Sequence, residues 1–188
     1  MSLIKNRIEL VLPTKAHHNQ IEEYKNKFKN DESVTNYDNM PGCGSLKKLT
    51  VDEWIQECAD HRVGKNLPDG YVPATQFIAL RKSDGKLVGM FQIRHWLTEF
   101  LETTGGHIGY SVAPDERGKG YATEMLAMGL LECKKLGIDK VRISHLVENT
   151  ASEKVITRNG GIYDGEVEYN GNIDAYNDRR FKRYWINI

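Results

Sequence analysis

Apolar and polar positions alternate from Arg7 to Leu12, which predicts a first strand. Pro13 closes it, because proline cannot donate to a sheet ladder. Ile21, Tyr24 and Phe28 then recur at three- and four-residue spacing, the buried stripe of an amphipathic helix. The polar stretch from Lys29 to Lys48, with Pro41, Gly42 and Gly44, predicts a long loop or a broken helix, a kind of segment that often carries function. Thr50-Val51-Asp52-Glu53 has the form of a capping box and opens a second helix with Val51, Trp54, Ile55 and Cys58 inside. Its outer positions Asp52, Glu53, Glu57 and Asp60 form a solvated acidic face.

Gln76–Arg81 and Leu87–Trp96 read as strands joined by the turn Ser83-Asp84-Gly85-Lys86, since Asp-Gly accepts positive φ. Gly89 marks a bulge or a close approach by another group. After a link from Leu97 to Gly106, alternation returns over His107–Val112. Tyr121–Leu136 has helical periodicity, with Met125, Leu126, Gly129, Leu130, Cys133 and Leu136 toward a sheet and Gly137 at the C′ position. Val141–Leu146 is a buried strand, and Thr150-Ala151-Ser152-Glu153 is a second capping box. That last helix carries Val155 and Ile156 and stops at Asn159-Gly160-Gly161, before strands near Ile162–Tyr169 and Arg180–Ile188. The order β-α-α-β-β-β-α-β-α-β-β predicts one α/β domain over residues 1–188.

Composition narrows the function. The 26 basic residues equal the 26 acidic ones, so no overall basic field exists to hold nucleic acid. No run approaches the roughly 18 apolar residues of a membrane span, and the N-terminal residues lack a secretory apolar core. Cys43, Cys58 and Cys133 are odd in number and far apart, which fits reduced thiols and a cytoplasmic location rather than a disulfide frame or a metal site.

The chemistry concentrates at Ser111-Val112-Ala113-Pro114-Asp115-Glu116-Arg117-Gly118-Lys119-Gly120-Tyr121-Ala122-Thr123, where a strand turns into a helix. Gly118 and Gly120 allow bare backbone N–H groups to meet a ligand closely. The first N–H groups of the helix and its dipole favour phosphate, with Arg117 and Lys119 as charges beside it. Arg117-Gly118-Lys119-Gly120-Tyr121-Ala122, after Val-x-Pro, resembles the pyrophosphate loop of the GCN5-related N-acetyltransferases (the GNAT superfamily). The segments Gly105-Gly106-His107-Ile108-Gly109-Tyr110 and Asn149…Asn159-Gly160-Gly161 extend the resemblance over nearly the whole chain.

The resemblance implies a mixed, mostly antiparallel seven-stranded sheet, splayed between strands 4 and 5, with about four helices. Residues from about 76 to 188 would form the core, and 1–75 the first strand and the acceptor-side helices. It implies acetyl-CoA as the cofactor. The backbone of Tyr110, Ser111 and Val112 would bind pantetheine, Arg117 to Ala122 the pyrophosphate, and the Asn149 side chain the cofactor. Asn149 read alone is equally a helix cap. Transfer would be direct, an amine attacking the thioester while the Tyr110 N–H stabilises the oxyanion. Cys133, on the core stripe, is expected to be inert.

Two positions depart from the family. The Tyr that many relatives place seven residues after the Asn is Ile156, and the Glu that some place five residues before it is Ser144. Candidates for proton transfer are then His107, His95, Glu99 and Glu102, with His107 at the strand entrance preferred, and Tyr163 or Tyr169 for the thiolate. The acceptor side would hold Glu99, Glu102, Glu166, Glu168, Asp174 and Asp178 among Arg94, Arg158, Arg179 and Arg180, with the aromatic stretch Tyr37 to Pro41 and Trp54 as groove or core. The leading expectation is an N-acetyltransferase acting on a primary amine of a small molecule, peptide or protein, compatible with homodimers through the terminal strands. The alternative is an acyl-CoA-binding module that has lost the acid–base pair.

Overall fold

The computed structural model describes residues 3–28, 40–169 and 178–188. The expected features at residues 29–39, Tyr37 included, and at Asp174 lie outside the described residues. The elements are β1 (Ile8–Val11), α1 (His18–Lys27), α2 (Val51–Arg62), β2 (Ala74–Arg81), β3 (Leu87–Arg94), β4 (Ile108–Val112), α3 (Tyr121–Lys135), β5 (Lys140–Leu146), α4 (Thr150–Arg158), β6 (Ile162–Tyr169) and β7 (Arg179–Asn187). They follow the predicted order. The strands form two sheets, β1-β2-β3-β4 and β5-β7-β6, in which every neighbouring pair is antiparallel. Between β4 and β5 the ladder is missing, so the expected splay is present.

The first sheet is covered on both faces, which is why β2 is buried from Ala74 through Ala79. On one face Phe77, Phe91 and Ile93 pack with Met125 and Leu126 of α3, and this core continues through Ile143, Ile156 and Tyr184 of the second sheet and α4. On the other face Ile78 and Met90 pack with Ile21, Tyr24, Trp54 and Ile55 of α1 and α2. Thr50 caps α2 as predicted: its hydroxyl accepts from Glu53 N at 3.3 Å, and Glu53 Oε2 accepts from Thr50 N at 2.9 Å.

Three local readings change. The cap of α4 is Asn149, whose Oδ1 accepts from Ser152 N at 3.0 Å, so the helix starts one residue earlier than a Thr150 cap would put it. Leu136 leaves the sheet-facing stripe of α3 and is 42% exposed, because the helix ends at Lys135. Gly137, at φ +77°, then closes a Schellman motif with Ile138 N on Cys133 O at 3.0 Å, and Ile138 supplies the buried side chain instead. The Leu97–Gly106 link contains a π-helical turn over Leu101–Gly105.

Gly89 is both a close-approach point and the neighbour of a bulge. The β2–β3 register skips Val88, and a Cβ at Gly89 would lie 2.6 Å from Met125 Sδ and 2.8 Å from the Ser111 carbonyl oxygen. Gly129 does the same for α3, since a Cβ there would lie 2.1 Å from Phe91 Cζ in a fully buried ring. Gly129→Ala gains helix propensity of up to about 1 kcal/mol but overpacks the helix–sheet contact. We expect a net loss of about 1–3 kcal/mol in denaturant unfolding, with an unchanged m-value.

Candidate active site

Two hydrogen bonds fasten β4 to β5 at the apex of the splay. His107 N donates to Arg142 O at 2.8 Å, and Arg142 N donates to His107 Nδ1 at 2.9 Å. Gly106, at φ +67°, lets the chains meet, because a Cβ there would lie 2.6 Å from the Arg142 oxygen. At the two ends of the β3–β4 ladder Arg94 N donates to His107 O and Ala113 N donates to Val88 O. The register between them is unbroken, so Gly109 and Ser111 turn their main-chain groups to β3. Ile108, Tyr110 and Val112 turn theirs to the open edge. Of the three residues expected to line pantetheine, the structure therefore aims the main chain of Tyr110 and Val112 into the splay and that of Ser111 away from it. The Ser111 side chain is occupied too, with Oγ 3.0 Å from Tyr24 Oη and 3.5 Å from Cys43 Sγ.

At the other end of β4 the chain passes through Ala113 and a short turn over Pro114–Glu116 to the glycine loop. Gly118 and Gly120 have φ of +77° and +83°, the left-handed region that favours glycine, and both are exposed. Nothing lies within 4 Å of a Cβ built at Gly118, and at Gly120 the nearest atom is Arg7 Nη2 at 3.6 Å. The first bond into α3 runs from Glu124 N to Gly120 O at 3.3 Å, which leaves the N–H groups of Tyr121, Ala122 and Thr123 without an intrahelical partner. Open space, positive-φ glycines and a helix N-terminus together fit a pyrophosphate.

The charges beside the loop are arranged differently from the sequence reading. Lys119 Nζ turns back onto Glu116 Oε2 at 2.8 Å and the Asp115 carbonyl at 3.1 Å. Glu116 is only 3% exposed and also meets Arg81 Nη1 at 2.9 Å and Lys86 Nζ at 2.7 Å. The hydrogen bonds from Lys119 and Lys86 hold its carboxyl below the usual range. Asp84 pairs with Arg81 at 2.6 Å and Asp115 with Lys86 at 2.9 Å, so the three cations around Glu116 are balanced by three carboxylates beneath the loop. Arg117 is exposed, its guanidinium 5.8 Å over the Phe28 ring.

Across the splay the Tyr110 hydroxyl lies 2.7 Å from Ser152 Oγ, in the first turn of α4. Burial raises the Tyr110 phenol to about 12. Three residues past the apex on β5 is His145, stacked on Tyr184 and buried; its Nδ1 is 2.7 Å from the Leu146 oxygen, and its Nε2 has no partner among the described residues. Neither Ser152 nor His145 was singled out from the sequence. An i, i+3 offset from the Asn149 cap was the one available signal for Ser152. Ser144 and Ile156, at the two departing positions, are occupied structurally: Ser144 Oγ donates to the Thr104 carbonyl, and Ile156 is fully buried in the core.

On the expected acceptor side three acidic groups already have partners. Asp164 pairs with Arg142, Glu166 with Arg180, and Glu148 with Arg179. Glu99 precedes the π turn and Glu102 lies within it, where the Glu102 carbonyl accepts from Arg142 Nε at 3.1 Å. His95 lies elsewhere, with Nε2 2.8 Å from Thr75 Oγ1. Cys133 is buried and raised to about 12 by desolvation, as an inert thiol would be. Among the described residues no cluster of His, Cys, Asp and Glu could hold a metal ion, and no helix is long and apolar enough to cross a membrane.

A family model described as an acetyltransferase (GNAT) domain matches residues 7–162. Solved structures are similar over their full extent. A ribosomal-protein alanine acetyltransferase from Vibrio fischeri has a TM-score of 0.67 at 16% identity, covering 96% of this chain and 93% of that one. A chimera of a Vibrio cholerae spermidine N-acetyltransferase has 0.65 at 14% identity, covering 96% and 95%. The microcin C7 self-immunity acetyltransferase, solved with acetyl-CoA and AMP, has 0.65 at 18% identity, covering 98% and 94%. At these identities the likeness is one of fold. No curated protein matches the chain.

His107 is the sequence candidate whose surroundings change its meaning most. It is 6% exposed, its Nδ1 is taken by the Arg142 N–H, and burial, then the Arg94 charge, push it down to about 4. This geometry favours a fastener of the apex over the expected proton acceptor. An imidazole near 6.5 in the unfolded chain and near 4 in the folded one is protonated more readily on unfolding. Its stabilisation is therefore complete above about pH 6.5 and falls as pH drops toward 4. His145 and His95 are displaced in the same direction by burial, so the wild-type slope is shared. We expect His107→Asn, whose amide oxygen keeps an acceptor for Arg142 N, to flatten the fall in melting temperature between pH 6.5 and 4. An identical slope in both proteins would remove His107 from the acid response.

Proposed function

The chain belongs to the GNAT acetyltransferase family, and from that premise we propose that it transfers the acetyl group of acetyl-CoA directly to a primary amine of a small molecule, peptide or protein. The observation that carries this reading is the open main-chain edge of β4, ending one short turn away from the glycine loop at the N-terminus of α3. An edge with unpaired amides suits the peptide-like arm of the donor, and a loop of free N–H groups suits its diphosphate. Bound acetyl-CoA supplies a thioester carbonyl for the amine to attack.

The protein's part is orientation and charge. Val112 and Tyr110 offer main-chain groups along the arm. The N–H groups of Gly118 to Ala122 cradle the phosphates, with Arg117 beside them. The Tyr110 N–H donates to the carbonyl oxygen as negative charge grows there, an interaction typically worth a few kcal/mol. Asn149 already caps α4 through Oδ1, so its Nδ2 is the atom left for the donor. The Tyr110–Ser152 hydroxyl pair spans the splay and supplies the proton that the departing thiolate needs, in place of the tyrosine replaced by Ile156. The incoming ammonium loses its proton to water on the side of Glu99 and Glu102, whose charge favours a cationic acceptor.

Thiol release from acetyl-CoA tests the reading, against polyamines, amino acids, aminoglycosides and N-terminal peptides of ribosomal proteins. The panel includes the acceptor classes of the similar structures. We expect turnover with at least one cationic amine, and its loss in Gly120→Glu, which puts a carboxylate in the phosphate cradle. A folded Gly120→Glu protein with unchanged affinity for CoA would sink the cofactor site. For the proton donor, we expect the double variant Tyr110→Phe/Ser152→Ala to lower kcat on the order of 100-fold with the acetyl-CoA KM little changed. Wild-type kcat in that variant would show that the thiolate is protonated elsewhere.

A further inference from the structure

The glycine loop is exposed, and two of its residues sit at positive φ. Such a segment has many conformations of similar energy, and ordering it on an anion costs conformational entropy. The structure holds a device against that cost, built from the other end of the sequence. Glu124, in the first turn of α3, is 1% exposed. Its Oε1 accepts the backbone N–H groups of Lys5 at 3.1 Å and Arg7 at 3.0 Å. Its Oε2 accepts from Arg7 Nε and Nη2, each at 2.9 Å. The remaining arm of that guanidinium, Nη1, donates to the carbonyl of Lys119 at 3.0 Å, and the guanidinium carbon lies 4.9 Å over the Tyr121 ring.

Lys119 is the residue between the two glycines. A trans peptide points its C=O and the following N–H in opposite directions. Holding the Lys119 carbonyl on Arg7 therefore aims the Gly120 N–H away from Arg7, on the opposite side of that peptide plane. It also keeps the carbonyl dipole, which would repel phosphate, turned aside. We propose that Arg7 is a positioning residue for the donor: by tying the Lys119 carbonyl to the buried Glu124 carboxylate, it presets the loop for pyrophosphate before the ligand arrives. The proposal rests on the assignment of this loop to the pyrophosphate.

Lysine at position 7 separates positioning from folding. One ammonium can keep the ion pair with Glu124 but lacks the fork that reaches Lys119 O as well. Arg7→Lys and Arg7→Met are compared with wild type for melting temperature and for steady-state kinetics with two donors, acetyl-CoA and S-acetylpantetheine, which has no pyrophosphate. The expected result is an Arg7→Lys protein that melts close to wild type, with an acetyl-CoA KM raised on the order of tenfold, kcat nearly unchanged, and kcat/KM for S-acetylpantetheine unaltered. Arg7→Met raises the acetyl-CoA KM at least as far. An unchanged acetyl-CoA KM in both variants overturns the proposal, as does an equal loss with both donors, which marks a general structural effect. Wild-type protein that fails to discriminate between the two donors overturns the underlying assignment of the loop instead.

Discussion

The whole arrangement depends on a ladder that stops. At His107 and Arg142 the two sheets share a pair of hydrogen bonds, and past that point β4 and β5 diverge with their facing main-chain groups unpaired among the described residues. Unpaired backbone is tolerable only if water or a ligand satisfies it. The separation is kept by what lies on either side of it. Phe77, Phe91, Met125 and Ile143 fill one continuous core across both sheets, so the sheets cannot close up without expelling packed side chains. The opening is thus a consequence of core volume as much as of hydrogen bonding.

Buried charge organises the two ends of the site in the same manner. At the loop, Glu116 and Glu124 are almost wholly buried, and each collects donors from segments remote in sequence. At the apex, Arg142 is 5% exposed and joins Asp164, the Glu102 carbonyl and the face of Trp185 at 4.5 Å. Removing one partner from such a group leaves the other desolvated and uncompensated, a far larger loss than that of an exposed pair. These clusters therefore fix geometry in places where helices and strands alone would leave loops to find their own.

The element order, the capped start of α2 and the glycine loop were legible in the chain because each rests on a local rule. Pro114, Gly118 and Gly120 constrain their own backbones, and Thr50 and Glu53 act over three residues. What was not legible is partner choice. Lys119 reads as a phosphate ligand until Glu116 is seen buried beside it, and nothing in the residues near Glu124 announces Arg7. The α4 cap moved by one residue because Asn149 and Thr150 are both competent, and the competition is decided by how the chain leaves β5. His107 reads as a proton acceptor from the ordinary imidazole pKa, a property that burial removes.

One contact sets a limit on how this protein can change. Gly42 packs so closely on β4 that a Cβ would lie 2.6 Å from both the Gly109 oxygen and the Tyr110 α-carbon. Gly109 returns the same intimacy, since a Cβ there would lie 3.1 Å from the Gly42 nitrogen. Two main chains touch there with no side chain between them, and Trp54 and Gln76 bond the carbonyls of Cys43 and Gly42 to hold them in place. The spacing of that wall is defined by missing atoms, so selection or directed evolution has no smaller residue to turn to. Change at this site must then come from other segments, while this glycine pair stays constant.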